Sequence, residues 1–154
     1  MRIINAKEAQ VLALAVRLEM LREIGGFPEE HVFSDAFIWQ TADYLTGENQ
    51  TTLLAVDGGQ PVACATLCYL TLLPTLDHPT GCRAHLMNVY TAPTHRRRGL
   101  AKQLVIQLME EAQARGVTEI SLDATAAGRP LYEALGFRAN GEGMTKVFPN
   151  GKEI

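Results

Sequence analysis

Residues 87–116, MNVYTAPTHRRRGLAKQLVIQLMEEAQARG, constrain the chain more than any other stretch. Leu86, Val89 and Tyr90 suit a β-strand. Pro93 has no N–H to give to a sheet ladder and ends it. Leu100, Leu104, Leu108 and Ala112 then recur every four residues, the spacing of one helix face. Gly116 stands where a left-handed cap closes such a helix. Between strand and helix lie His95, Arg96, Arg97, Arg98 and Gly99. A helix start leaves N–H groups without partners and concentrates partial positive charge. Gly99 and Ala101 are small enough to let a phosphate approach those amides, and the arginines and Lys102 add charge around them. The stretch therefore describes a pyrophosphate site. Its alternative is a solvated basic loop that opens an ordinary helix.

The chain's totals agree with one local anion site. Net charge is −3, from 14 Lys and Arg against 17 Asp and Glu, with Arg96, Arg97 and Arg98 adjacent in a single loop. That argues against a general nucleic-acid binder. No run of about 18 apolar residues is available to span a membrane. No basic, apolar, small-residue succession marks a signal peptide at the N-terminus. Cys64, Cys68 and Cys82 form no C-x-x-C, and no histidine cluster completes a zinc site, so no metal is expected. Free thiols fit a reducing, cytoplasmic location.

Around the central stretch, residues 1–4 suit a short strand and 6–24 a helix, with Val11, Leu14, Ala15, Leu18 and Leu21 on its apolar face. Ser34 is a predicted N-cap for a second helix over 35–45, and Phe33, Phe37, Trp39 and Tyr44 gather the aromatics there. Residues 51–56 and 62–73 read as strands joined into a hairpin by Asp57-Gly58-Gly59. Residues 84–91 lead into the central loop, and 117–123 follow its helix as a parallel neighbour, completing a βαβ unit. A short helix over 129–135, with Pro130 in its first turn, precedes a last strand over 144–148. The fold class expected is α/β, a central mixed sheet flanked by helices, as one domain over 1–154.

The loop lacks the G-x-G-x-x-G of a dinucleotide fold. No segment completes G-x-x-x-x-G-K-[ST] either, since the nearest match, at 136–142, has no lysine. What it does carry is R-x-x-G-x-A, in Arg96, Gly99 and Ala101. This resembles the acetyl-CoA loop of the GNAT superfamily of N-acetyltransferases, [RQ]-x-x-G-x-[GA]. A second stretch, PLYEALGF at 130–137, is similar to that family's L-Y-x-x-x-G-F segment. The order of elements matches over nearly the whole chain, and the helix pair matches in outline only.

The resemblance implies a GNAT fold and transfer of an acetyl group from acetyl-CoA directly to a primary amine. The amine must be neutral to attack, so a base is needed; the leaving thiolate gains from an acid. Tyr132 matches the family tyrosine near the CoA sulfur and is the candidate acid, against a mere packing role. His85, on the strand before the loop, is the candidate base, with Glu29 and Glu30 as rivals. Strand alternation puts His85, Met87, Val89 and Thr91 on one face and Asn88 on the other. Val89, Tyr90 and Thr91 would offer backbone groups to pantetheine as an added strand would, with Val89 N–H facing the oxyanion. Arg96, Arg97, Arg98, Gly99, Leu100, Ala101 and Lys102 would hold the phosphates. Gly128 departs from the family, which has an asparagine near this place, and Arg129 is open to either a phosphate or solvent. The aromatic helix pair favours a small-molecule amine acceptor. A protein N-terminus or lysine, or a non-catalytic acyl-CoA-binding sensor, are the alternatives. A homodimer is compatible with the sequence.

Overall fold

In the computed structural model, residues 1–150 are described. The segment 151–154, the end of the span expected as one domain, lies outside them. The elements follow in the order β1 (Arg2–Asn5), α1 (Gln10–Gly25), α2 (Asp35–Thr46), β2 (Gln50–Asp57), β3 (Gln60–Thr71), β4 (Cys82–Thr91), α3 (Leu100–Ala114), β5 (Glu119–Ser121) and α4 (Arg129–Ala134). The strands form a sheet in the order β1-β2-β3-β4-β5. Every pairing is antiparallel except β4 with β5, which is parallel as a βαβ crossover requires.

Helices cover both faces of the sheet. On one face α3 buries Leu104, Val105, Leu108 and Ala112 against Ala55, Ala63, Ala65, Leu67, Ala84 and Leu86. The alanines under the helix let it sit close to the strands, and Leu104 and Leu108 are fully buried. Each such leucine contributes about 1.5–3 kcal/mol of transfer free energy. On the other face Ala13 and Val16 of α1 and Leu45 of α2 pack with Leu54, Val56, Cys64 and Tyr90. The predicted Ser34 cap is present: its Oγ accepts from Phe37 N–H at 3.2 Å.

Several expectations change. Ala13 and Val16 are the buried residues of α1, whereas Val11 and Ala15 of the predicted apolar face are exposed. The helix predicted over 6–24 is split, because Asn5 and Glu8 form a capping box around a 3-10 turn, Ala6–Glu8. Ala9, at φ −149°, breaks the run before α1. The strand predicted over 117–123 is reduced to Glu119–Ser121, the length that β4 pairs. Residues 144–148 form no strand. They follow the glycine-rich Asn140-Gly141-Glu142-Gly143, find no ladder partner among the described residues, and leave Met144, Val147 and Phe148 exposed.

Candidate active site

The site begins with an irregularity in β4. Cys64 pairs with Tyr90, but Thr66 pairs with Met87, so two steps on β3 face three on β4. The extra residue is a β-bulge, and Asn88 occupies it with φ +59°. Asparagine enters this left-handed region more readily than other residues with a Cβ. The bulge resets the alternation of side chains. Before it, His85 and Met87 lie on the α1–α2 face. After it, Tyr90 is on that face and Val89 packs with the α3 core. The expectation that His85 and Val89 share a face, with Asn88 opposite, is therefore corrected: Asn88 joins His85, and Val89 crosses over.

β4 also loses its neighbour here. Pairing with β5 ends at His85↔Ser121, and among the described residues no strand runs beside Leu86 to Thr91 on that side. The backbone of Val89, Tyr90 and Thr91 thus lies in the open half of the strand, at the mouth of the loop that follows.

That loop divides its cations. Arg96 pairs with Glu23 at the end of α1, and its Nε donates to Thr91 O at 2.9 Å. Glu23 also accepts from Tyr90 Oη at 2.7 Å. The Arg96 guanidinium and then the Tyr90 hydroxyl hold the Glu23 carboxyl below its ordinary range. Burial and the bond to Glu23 push the Tyr90 phenol up. Arg96 thereby anchors the loop to α1. His95 anchors it to the hairpin through Asp57, at 2.9 Å.

Arg97, Arg98 and Lys102 are exposed and make no ion pair among the described residues; Arg98 reaches only Thr94 O. Gly99 precedes α3 at φ +73°, and a Cβ placed on it would meet nothing within 4 Å. The first helical bond runs from Gln103 N–H to Gly99 O at 3.1 Å. The amides of Leu100, Ala101 and Lys102 ahead of it have no acceptor in the helix. Open space, orphan amides and uncommitted cations fit a pyrophosphate.

Tyr132 of α4 is half-buried against the α3 core and meets Phe137 edge-on, with ring centroids 5.9 Å apart. Burial raises its phenol pKa, and its hydroxyl makes no hydrogen bond among the described residues. A Cβ on Gly128 would come within 3.3 Å of the Tyr132 ring and 3.2 Å of Thr125 Oγ1. The absence of a side chain at Gly128 lets the ring sit here. Arg129 pairs with Glu133 at 2.6 Å along the helix surface.

His85 turns towards β5. Its Nδ1 lies 2.8 Å from Ser121 Oγ and its Nε2 3.8 Å from Asp123 Oδ2. Ser121 Oγ is also 3.5 Å from Ala84 O. Which ring nitrogen donates to these partners depends on the tautomer. Glu29 and Glu30 are exposed on the α1–α2 connection and stand apart from the pocket.

The pocket, about 220 Å³, lies between α1, α2 and the bulge. Phe37 and Tyr44 of α2 wall it, whereas Trp39 is exposed. Its floor is Thr66, Cys68, Met87 and Asn88. A polar chain runs beneath: Gln50 Oε1 accepts from Thr52, Thr52 bonds Thr66, and Asn88 Nδ2 donates to Thr66 Oγ1 at 3.0 Å. Arg17 Nη1 donates to Asn88 Oδ1 at 3.2 Å. This network fixes Asn88 in the bulge from both sides. From sequence, Asn88 was placed on the opposite face and Arg17 was passed over. An asparagine inside an apolar strand and an arginine among Ala13, Val16 and Met20 of α1 are the signals that were there. Among the described residues no cluster of His, Cys, Asp and Glu suits a metal ion, and no helix is long and apolar enough to cross a membrane.

Comparison with known proteins agrees with this layout. Over 56 residues the chain is 38% identical to glucosamine 6-phosphate N-acetyltransferase of Trypanosoma brucei brucei. Over 57 residues it is 40% identical to the ribosomal protein bS18 alanine N-acetyltransferase of Salmonella typhimurium. These matches take in 36% and 35% of the chain and span only 38% of each relative's length. A crystal structure of a predicted acetyltransferase from Clostridium acetobutylicum with acetyl-CoA superposes with a TM-score of 0.78 at 27% identity, covering 95% of this chain and 94% of that one. The family model for the acetyltransferase (GNAT) family matches residues 18–137, a span that holds the bulged strand, the basic loop and Tyr132 alike. By that match the chain belongs to the acetyltransferase (GNAT) family.

Proposed function

We propose that this protein transfers an acetyl group from acetyl-CoA to the amine of a small molecule held between α1, α2 and the β4 bulge. One observation carries the reading: the bulge at Asn88 lies between the basic loop that opens α3 on one side and a pocket of about 220 Å³ on the other. Acetyl-CoA supplies the activated acyl group. Gly99, Leu100, Ala101 and Lys102 would hold its phosphates through backbone amides, with Arg97 and Arg98 adding charge; Arg96 acts by holding the loop. Val89, Tyr90 and Thr91 would bond the pantetheine arm through their backbone, and Val89 N–H would donate to the oxygen that gains charge. Tyr132 would give its hydroxyl proton to the departing sulfur. The Tyr132 phenol is protonated at neutral pH, as a donor must be, and burial, which raises its pKa, makes that transfer depend on the thiolate's charge developing beside it.

His85 would accept the amine's proton, directly or through one water. It lies on the acceptor face, next to the pocket residues Cys68 and Met87 in the sheet. The three cysteines, all free thiols, support a reducing cytoplasm. The relatives named above act on a sugar phosphate and on a protein alanine, so substrate class divides within the family. A concave, aromatic-walled pocket of about 220 Å³ supports the small molecule. Acetyl-CoA turnover against a panel of small amines and a panel of peptides tests this. Transfer to peptides alone would overturn the small-molecule reading, and transfer to none would overturn the enzyme.

A further inference from the structure

The pocket holds a charge that nothing in it balances. Arg17 reaches in from α1, and both of its hydrogen bonds use Nη1, to Asn88 Oδ1 at 3.2 Å and Met20 Sδ at 3.7 Å. Neither partner is charged. Nε and Nη2 make no bond among the described residues, yet they are not sealed from solvent. No Asp or Glu lines the pocket. The nearby acids of α1 are committed elsewhere, Glu19 to Tyr90 and Glu23 to Arg96 and Tyr90. A half-buried guanidinium without a counter-charge is costly, and its free edge matches a carboxylate or phosphate bidentately. Around it stand Gln40, Thr41 and Tyr44, which add hydrogen-bonding groups to the same wall.

We infer that the acceptor carries an anionic group, a carboxylate or a phosphate, and that Arg17 binds it and so sets substrate specificity. This rests on the transferase reading for its acceptor, though the anion subsite itself does not depend on turnover. A bound anion would complete the pairing that the fold leaves open. It would also fix the amine end of the molecule towards the β4 opening, since the pocket floor at Met87 and Asn88 leads there.

Cys68 shares the pocket with Arg17 and offers a readout free of catalysis. Its alkylation by anionic iodoacetate and by neutral iodoacetamide is followed by peptide mapping in wild type, Arg17→Gln and Arg17→Lys. The ratio of the two rates cancels any change in thiolate fraction. It should fall about three- to tenfold in Arg17→Gln, the size of one unit-charge interaction in a partly open pocket. It should persist in Arg17→Lys. An unchanged ratio in a folded Arg17→Gln overturns the proposal.

Turnover of matched amines then identifies the anion: β-alanine against its amide for a carboxylate, phosphoethanolamine against ethanolamine for a phosphate. A preference of tenfold or more for one charged member, lost in Arg17→Gln, supports the subsite and names its ligand. Equal use of charged and neutral members overturns the specificity while leaving the transferase intact. A ratio that falls without acetylation of any amine supports the subsite and counts against the transferase.

Discussion

Replacing Gly99 by asparagine and by aspartate isolates what the helix amides contribute to cofactor binding. The position has φ +73°, so any side chain incurs about 1–2 kcal/mol of left-handed strain. Asparagine and aspartate bear it best and have nearly the same shape. A Cβ there touches nothing within 4 Å, so neither variant adds a clash in the free protein. The two should therefore be destabilised alike, and the difference between them in acetyl-CoA affinity is electrostatic. A carboxylate roughly 6 Å from a phosphate charge costs about 0.7 kcal/mol at the dielectric of water and about 2.8 at an effective value near 20. That corresponds to a roughly 3- to 100-fold range in Kd, and an open loop with several phosphate oxygens nearby should give at least about tenfold. Calorimetry with CoA at low ionic strength measures both constants, and the gap should narrow as salt shortens the Debye length. Equal affinities in two folded variants, at low salt, would refute a phosphate at the start of α3.

Other changes probe the chemistry and the loop's anchor. Tyr132→Phe removes a hydroxyl that makes no hydrogen bond among the described residues, so stability should hold while kcat falls ~100-fold or more with acetyl-CoA affinity kept; a drop within about threefold makes Tyr132 a packing residue. His85→Ala and His85→Gln should lower kcat/KM most near neutral pH, with partial recovery at high pH, where more amine is already neutral; if wild type and both variants share one acidic limb, the base is elsewhere. Glu23→Gln should cost about 0.5–1 kcal/mol at pH 7, a modest figure because the Arg96–Glu23 pair is 47% and 40% exposed. Since the folded Glu23 pKa is depressed, its contribution is present above the unfolded carboxylate value of ~4.3 and disappears as pH falls through the lower folded value. Urea melts should show the wild-type advantage closing below about pH 4, and a gap independent of pH would remove the ion pair from the account.

What the sequence determined by itself was local or periodic. The four-residue spacing from Leu100 to Ala112 defines a helix face wherever the helix lies, and it is the face that α3 buries. Ser34 caps α2 through a bond to Phe37, three residues on, which needs no tertiary context. Asp57-Gly58-Gly59 makes its turn for the same reason, with Gly58 and Gly59 both at positive φ. Arg96, Gly99 and Ala101 marked the proposed anion site because a loop entering a helix carries its orphan amides with it.

The tertiary structure decided whatever depends on register or on distant partners. One inserted residue at Asn88 reverses the facing of everything after it, so period-two counting from His85 to Val89 failed across the bulge. The strand expected over 144–148 had suitable residues, but a strand exists only where a neighbour takes its backbone bonds. Arg96 looked like its neighbours in the loop until Glu23, far back on α1, was found to hold it. Arg17 read as one polar interruption of a helix. Only the meeting of α1 with the bulged strand places its guanidinium in a pocket without an acid, because charge balance is a property of the assembled space and not of the chain.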